Sequence, residues 1–578
     1  MIFPMDAASQ CSNAPVASTS STANWMNELE QYTTPGVSPA SARISTSLEI
    51  AARPPFRPWH YYKYGWALAS KAAQVSKDVA SHAIWGPRKK TWGLEMTIIS
   101  SFMRDVAAHS SLVDISSIRL LMSLSGLAPL PSDALVTPVT FRIRRRRLRG
   151  ILADLDSKEN GSRELSGEWV VGKKTWRRLQ AEWKAAQVIK KGTNKQLNSR
   201  IRKKSDRVVY YIHGGAYIVG SPASQRQISV PLALHTDARV FAIDYRLAPE
   251  STFPGPLHDV VSGYMRLVED LHVPPENIIV SGDSAGGGLS LALLMYLRDN
   301  GYPLPSSAIL MSPWVDLTMS CESWVSNAPY DVIPLCSPTD PNNPIASYLG
   351  PHLEKYLMHP YASPLFGNFA GLPPLLIQAG DAEVLRDEIT LLAHKASAAG
   401  VEVQHELYED CVHVFQQFPF LEPTERSFIA MGEFVLNKLP QLQSRSPRLE
   451  PKAEQYMETE IDSKDAFVLD ANGLAIPMGQ VGARSRLEND DSTDEEGSSA
   501  GTANLANSSR PRLNKRSHSS YTISEDWHKE ASQPPTPSVR RNASHADVSA
   551  LVDNWRSGPK NKTVLYRHSS PLQSFGSR

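Results

Sequence analysis

Cysteine is scarce in this chain, with four among 578 residues: Cys11, Cys321, Cys336 and Cys411. They form no CxxC pair and have no histidines at ligand spacing, which excludes a zinc site or a disulfide framework. So few cysteines in so long a chain suit a reducing compartment. An excess of charge of one sign is missing too. A formal net charge of +1 gives no general pull toward nucleic acid or acidic substrates. Long hydrophobic runs are absent: no stretch reaches the roughly 18 apolar residues that a spanning helix needs. The richest stretch, residues 115–130, carries Arg119 and several serines and reads as a buried helix. The N-terminus lacks a basic region followed by an apolar run, so no secretory signal is expected. These absences predict a cytoplasmic protein whose membrane contact, if it has one, is peripheral, at an internal membrane or a lipid droplet.

What is present is unevenly spread. The length exceeds one compact domain, so two domains or one with long additions are expected. Residues 1–50 are rich in Ser, Thr, Ala and Pro and read as a disordered leader. In residues 51–134, Trp59, Tyr61, Tyr62, Tyr64 and Trp66 precede a helix-favouring run from Ala67 to Ile84. Helical patterns at 94–106 and 117–125 follow, and together these predict a helical cap added before the core. From Val136 the period becomes two, which predicts a strand with a hairpin partner at 167–171 and Asn160-Gly161 as the turn. The arginines of 144–149 lack interleaved aromatics and read as a charged strand face and loop, not a nucleic-acid patch.

Between Val208 and Leu439, short apolar runs alternate with helical stretches. Strands are predicted at 208–212, 240–244, 278–281, 308–311, 375–379 and 403–408, and helices at 256–271, 285–298, 385–399 and 423–436. This alternation predicts an α/β domain over 135–440, a mostly parallel sheet covered by helices on both faces. After Pro440 the apolar residues thin out, and residues 441–578 read as a disordered tail rich in Ser, Pro and charge. In it Ser544 follows Arg541 and Ser492 precedes an acidic run, which makes the tail a candidate for kinases or adaptor proteins.

The strongest local signal is Gly282-Asp-Ser-Ala-Gly-Gly287, set between the apolar run 278–281 and a helical run from Leu289. In that context G-x-S-x-G is a nucleophile elbow, with Ser284 lifted above the sheet edge and the helix N-terminus favouring developing negative charge. The second signal is His213-Gly-Gly-Ala216, directly after 208–212. Acyl transfer needs backbone N–H groups aimed at an oxyanion, and glycines let the chain come close. Gly215, Ala216 and Ala285 are assigned as the donors, with Gly214 shaping the turn.

These motifs, with Tyr245-Arg-Leu-Ala-Pro-Glu250, Phe253-Pro254 followed by Asp259, and Ser312-Pro-Trp-Val-Asp316, resemble those of the hormone-sensitive-lipase-like (GDXG) family in the same order. The resemblance covers about 208–439 and implies an α/β-hydrolase fold, a cap formed partly by N-terminal residues, and carboxylester hydrolysis. The long N-terminal extension is most similar to fungal members, some of them similar to steryl acetate deacetylases. Matching Leu385 and Asp387 to the family pattern puts Glu383 in the position of the catalytic acid, with Asp381 the competitor. His413, after 403–408, takes the place of the base and completes the chain order serine, acid, histidine. Val414 stands where relatives often have glycine.

The expected mechanism follows. His413 takes the Ser284 proton, Ser284 attacks an ester carbonyl, and an acyl-enzyme forms that water then releases. No metal or organic cofactor is required. The expected substrate is a small lipophilic short-acyl ester. The alternative is a non-catalytic binding protein or receptor on the same fold, since fold alone does not fix function. Plant gibberellin receptors resemble this family but lack the histidine, and the presence here of Ser284, an acid and His413 favours the enzyme.

Overall fold

The computed structural model describes residues 29–33, 37–44, 61–104, 114–124, 131–191, 206–334, 337–445, 467–469, 475–477 and 562–566. Cys11, Cys336, Trp59, Ser492 and Ser544 lie outside them, as do most of the leader and the tail. Three helices come first: α1 (Tyr61–Trp85), α2 (Leu94–Met103) and α3 (Ile115–Leu124). Of the aromatics read as preceding a helix, Tyr61, Tyr62, Tyr64 and Trp66 lie in the first turns of α1. Strands β1 (Ala134–Arg142) and β2 (Glu164–Gly172) pair antiparallel in register from Ala134↔Gly172 to Arg142↔Glu164. Asn160-Gly161 does not close this hairpin. The connection is longer and folds around Asp156, whose carboxylate accepts the Arg146 and Leu148 amides at 2.9 and 3.0 Å. Arg144 and Arg146 are tied to Glu269 and Asp270.

Two of the longer helices escaped the sequence reading. In α4 (Lys173–Lys191) a lysine-rich run hides the apolar stripe, and α5 (Arg226–Thr236) carries Pro231 inside it, which ordinarily argues against a helix. The core elements fall close to expectation. They are β3 (Val208–Ile212), β4 (Arg239–Asp244), α6 (Gly255–Met265), β5 (Ile278–Asp283), α7 (Ser284–Asp299), β6 (Ser307–Met311), β7 (Leu375–Gly380), α8 (Arg386–Ala398), β8 (Val403–Tyr408) and α9 (Glu422–Glu433).

Why the sheet forms is plain from β3. Val208-Val-Tyr-Tyr-Ile212 is β-branched and aromatic throughout and wholly buried. Its alternate residues serve different layers: Val208, Tyr210 and Ile212 join the core on one face, Val209 and Tyr211 that on the other. With β11 (Lys562–Tyr566) at one edge, strands run in the order β1-β2-β4-β3-β5-β6-β7-β8-β11, parallel from β4 to β11 and antiparallel among β1, β2 and β4. The chain leaves β3 for β4 on one side and returns to β5 on the other. That reversal opens a crevice at the carboxyl ends of β3 and β5, where ligands bind in open α/β sheets.

Both termini contribute more than composition suggests. Leu29, Tyr32 and Ile44 are buried, and the Tyr32 hydroxyl lies 2.5 Å from Ser320 Oγ. Lys562–Tyr566, in the stretch read as disordered, forms β11, parallel to β8 from Lys562↔Gln404 to Tyr566↔Tyr408, with the two tyrosine rings stacked at 4.7 Å. Residues 444–541 form a second unit, in which the described residues make a short antiparallel pair, β9 (Phe467–Leu469) and β10 (Ala475–Pro477).

Candidate active site

Ser284 stands at the junction of β5 and α7 with φ +52°, half-exposed although the residues on either side are buried. A non-glycine residue in the left-handed region is strained, and here the strain turns the hydroxyl out of the sheet. The turn leaves no room for side chains beside it. A Cβ on Gly286 would overlap the carbonyl oxygens of Ile212 and His213. As the first residue of α7, Ser284 also sits where helix amide groups lack intrahelical acceptors.

Opposite, at the end of β3, the His213 ring stacks on Tyr245 at 4.3 Å, and the Tyr245 hydroxyl donates to the His213 carbonyl at 2.8 Å. The Gly214 amide donates to Asp283 Oδ1 at 3.0 Å, and the Tyr211 hydroxyl donates to the same oxygen at 2.5 Å. Gly214 is thereby committed to holding the turn. Gly215 and Ala216 both have positive φ, and among the described residues their amides donate to no protein acceptor. Burial pushes Asp283 up to about 6, against the pull of the Tyr211 hydroxyl and the Gly214 amide.

The two remaining candidates come from the loops after β7 and β8. Glu383 is fully buried, and its Oε2 lies 3.1 Å from His413 Nδ1. Asp381 is occupied elsewhere, its Oδ1 accepting the Asp410 amide at 2.6 Å. Burial pushes the Glu383 carboxyl upward, while the Ser312 hydroxyl, the Gly380 amide and Arg386 pull it back. Burial also lowers His413, against the charges of Asp331 and Asp283. Val414 has φ +47°, the conformation that favours glycine there, and its amide donates to Ser312 Oγ at 3.1 Å.

Three contributions were not visible in the sequence. Asp331 accepts backbone amides from both loops, and Asn327 Nδ2 donates to the carbonyls of Asp381 and Glu383 at 3.0 and 2.8 Å. The link between α1 and α2 grips the histidine loop, with Trp92 Nε1 donating to the Asp410 carbonyl at 2.7 Å and the Thr91 hydroxyl to its carboxylate at 3.1 Å. These contacts join stretches that no spacing rule connects. Among the described residues no cluster of three or more His, Cys, Asp or Glu is placed to hold a metal ion, and no helix is long and apolar enough to cross a membrane. A surface hollow of about 610 Å³ lined by Thr175, Leu234 and His235 shares no residue with this site.

Fold and site together define an ester hydrolase of the α/β-hydrolase class. A family profile described as alpha/beta hydrolase fold matches residues 209–417. An acetyl-hydrolase of Streptomyces hygroscopicus is 38% identical over 237 residues, 41% of this chain and 77% of the relative. An esterase of Acinetobacter venetianus is 36% identical over 229 residues, 39% of this chain and 74% of the relative. A solved esterase of the bacterial hormone-sensitive lipase family is 30% identical, covering 60% of this chain and 98% of its own, with a TM-score of 0.46. The chain belongs to the hormone-sensitive-lipase-like family of α/β-hydrolases and is a serine carboxylester hydrolase. The binding-protein alternative finds no counterpart among these relatives.

Proposed function

We propose that Ser284 is the nucleophile, His413 the general base and Glu383 the acid of a triad that cleaves a small lipophilic ester with a short acyl group. The observation that carries this reading is the 3.1 Å contact between Glu383 Oε2 and His413 Nδ1, made by a carboxyl with no access to water. In this geometry Glu383 fixes the imidazole tautomer and stabilises the imidazolium that forms when His413 takes the Ser284 proton. The amides of Gly215, Ala216 and Ala285 hold the oxyanion, with Gly214 setting their turn. Losing one such donor costs about 3 kcal/mol of transition-state stabilisation.

Support for a short acyl group comes from the space beside the first turns of α7. Tyr217 and Tyr348 stack there at 3.7 Å, and a Cβ on Gly288 would lie 2.9 Å from the Tyr217 hydroxyl. Close-packed rings against these turns suit a short acyl group, and one relative is named an acetyl-hydrolase. The test is hydrolysis of a p-nitrophenyl acyl ester series by wild type, Ser284→Ala and Glu383→Gln. Preference for acetyl and butyryl esters, abolished by Ser284→Ala and cut strongly by Glu383→Gln, supports the reading. Loss with Ser284→Ala alone would return Asp381 as the acid.

The proposal extends to a cytoplasmic location with peripheral membrane contact. Cys321 and Cys411 are free thiols, and Tyr62, Trp66 and Trp85 of α1 and Phe102 of α2 are exposed beside the exposed Lys63, Lys77 and Lys90. Aromatic and cationic side chains together suit the interface of an anionic bilayer. Co-sedimentation with phosphatidylserine vesicles, reduced in Trp66→Ser, tests it.

A further inference from the structure

We propose that Asp331 is a positioning residue for hydrolysis: its single buried carboxylate ties the loop bearing Glu383 to the loop bearing His413. The inference rests on the triad reading and adds a member that touches neither substrate nor the reacting atoms. Asp331 is 2% exposed and follows the short helix Ser323–Ser326, in a stretch without periodicity. Its Oδ2 accepts the amide of Val384, the residue next to Glu383, at 2.8 Å. Its Oδ1 accepts the amide of His413 itself at 2.9 Å and that of Val332 at 2.7 Å. Three backbone donors thus share one carboxylate, and two of them belong to loops that follow different strands.

The arrangement suits positioning more than bulk stability. The contact between Glu383 and His413 depends on the relative placement of two loops that no strand pairing extends into. β7 and β8 are in register only as far as Gly380↔Tyr408, three residues before Glu383 and five before His413. Beyond that point the Ala382 amide donates to the Cys411 carbonyl at 3.0 Å and the Asp410 amide to Asp381. Asp331 makes the bridge nearest the two reacting residues, through Val384 and His413 itself, while Asn327 supports the same side through the carbonyls of Asp381 and Glu383. A displacement of about 1 Å at a reacting group can cost 10²-fold in rate. Asp331 also places a charge beside the imidazole. The acidic groups facing His413 are Glu383, Asp283 and Asp331, and the charges of Asp331 and Asp283 oppose the lowering of its pKa by burial.

The experiment compares Asp331→Asn with wild type on p-nitrophenyl acetate across pH, after circular dichroism and thermal melting establish folding. Asparagine keeps the shape but turns an NH2 group toward one of the two loop amides. The expected result is a fall in kcat of about 10²-fold with KM little changed. The acid limb of kcat/KM moves to lower pH, because the variant lacks the negative charge that Asp331, its pKa raised by burial to about 6, carries beside His413 above that value. A role in folding alone would lower the amount of active enzyme without moving that limb. Should asparagine prevent folding, Asp331→Ser retains one short acceptor and is read the same way. The double variant Asp331→Asn with Glu383→Gln should lose much less than the product of the single losses, since both act through His413. A folded variant with kcat within about twofold of wild type and an unmoved acid limb overturns the inference. If Glu383→Gln alone is fully active, the triad reading fails first; if Glu383→Gln is impaired while Asp331→Asn is not, only the positioning role falls.

Discussion

At Ser284 the positive φ, the flanking glycines and the start of α7 act on one hydroxyl, and each can be probed by a single substitution. Gly286→Ala should destabilise the protein by about 3 kcal/mol, since the new Cβ meets backbone carbonyls that cannot swing aside. A drop in melting temperature checks it. The pH dependence follows from the proposed role of His413, which as the base must be neutral to take a proton. Burial holds its pKa below the usual histidine value, so kcat/KM should rise with pH through that lowered pKa and level off by neutrality. A profile still rising steeply above pH 8 would contradict this. Asp259 gives an independent case. Burial raises its pKa, but hydrogen bonds and charges from His258, Arg246 and Arg163 outweigh that and bring it to about 2. Its stabilisation is therefore present above the unfolded value near 4 and is lost as pH falls toward 2. Asp259→Asn should remove about 2 kcal/mol at pH 7 and less at pH 3, measured by urea unfolding.

Among the elements, those outside the strand–helix alternation differ most from their sequence signatures. The link between α1 and α2 docks on the histidine loop, and Trp92 packs with Met96 and Val412, directly beside His413. Trp92→Ala should cost about 3 kcal/mol in stability and lower kcat, because Asp410 loses its indole donor. β11 covers the edge of β8 and places Tyr566 on Tyr408. An uncovered edge strand invites pairing with another chain. Deleting residues 562–578 should therefore lower the melting temperature slightly and promote self-association, which light scattering would detect. The strands and helices from β3 to α9 were legible because their apolar periods are local. α5 was not, because Pro231 signals a break that packing overrides, and β11 was not, because five residues in a polar tail carry no period until a partner strand is beside them.

The larger unit is an open nine-stranded sheet with an apolar layer on each face and buried titratable groups distributed through it. Burial lowers His359 and His405 to about 4 and His394 to about 2, so all three are neutral in the fold and charge on unfolding in acid. Stability contributed by neutral burial is present above about pH 6.5 and lost as pH falls toward those values, and calorimetry should find the melting temperature dropping over that range. The sequence by itself determined the alternating core and the two glycine-bounded turns that present Ser284 and His213, because both are written in consecutive residues. Only the tertiary structure decided that Glu383 and not Asp381 meets His413, that Asp331 reaches both loops, and that Leu29, Tyr32, Ile44 and the strand Lys562–Tyr566 pack on the core. These meetings span 30, 53 and 82 residues between Glu383 and His413, Asp331 and Val384, and Asp331 and His413. Loops that carry them have no period of their own, and their partners are chosen by where the sheet delivers them.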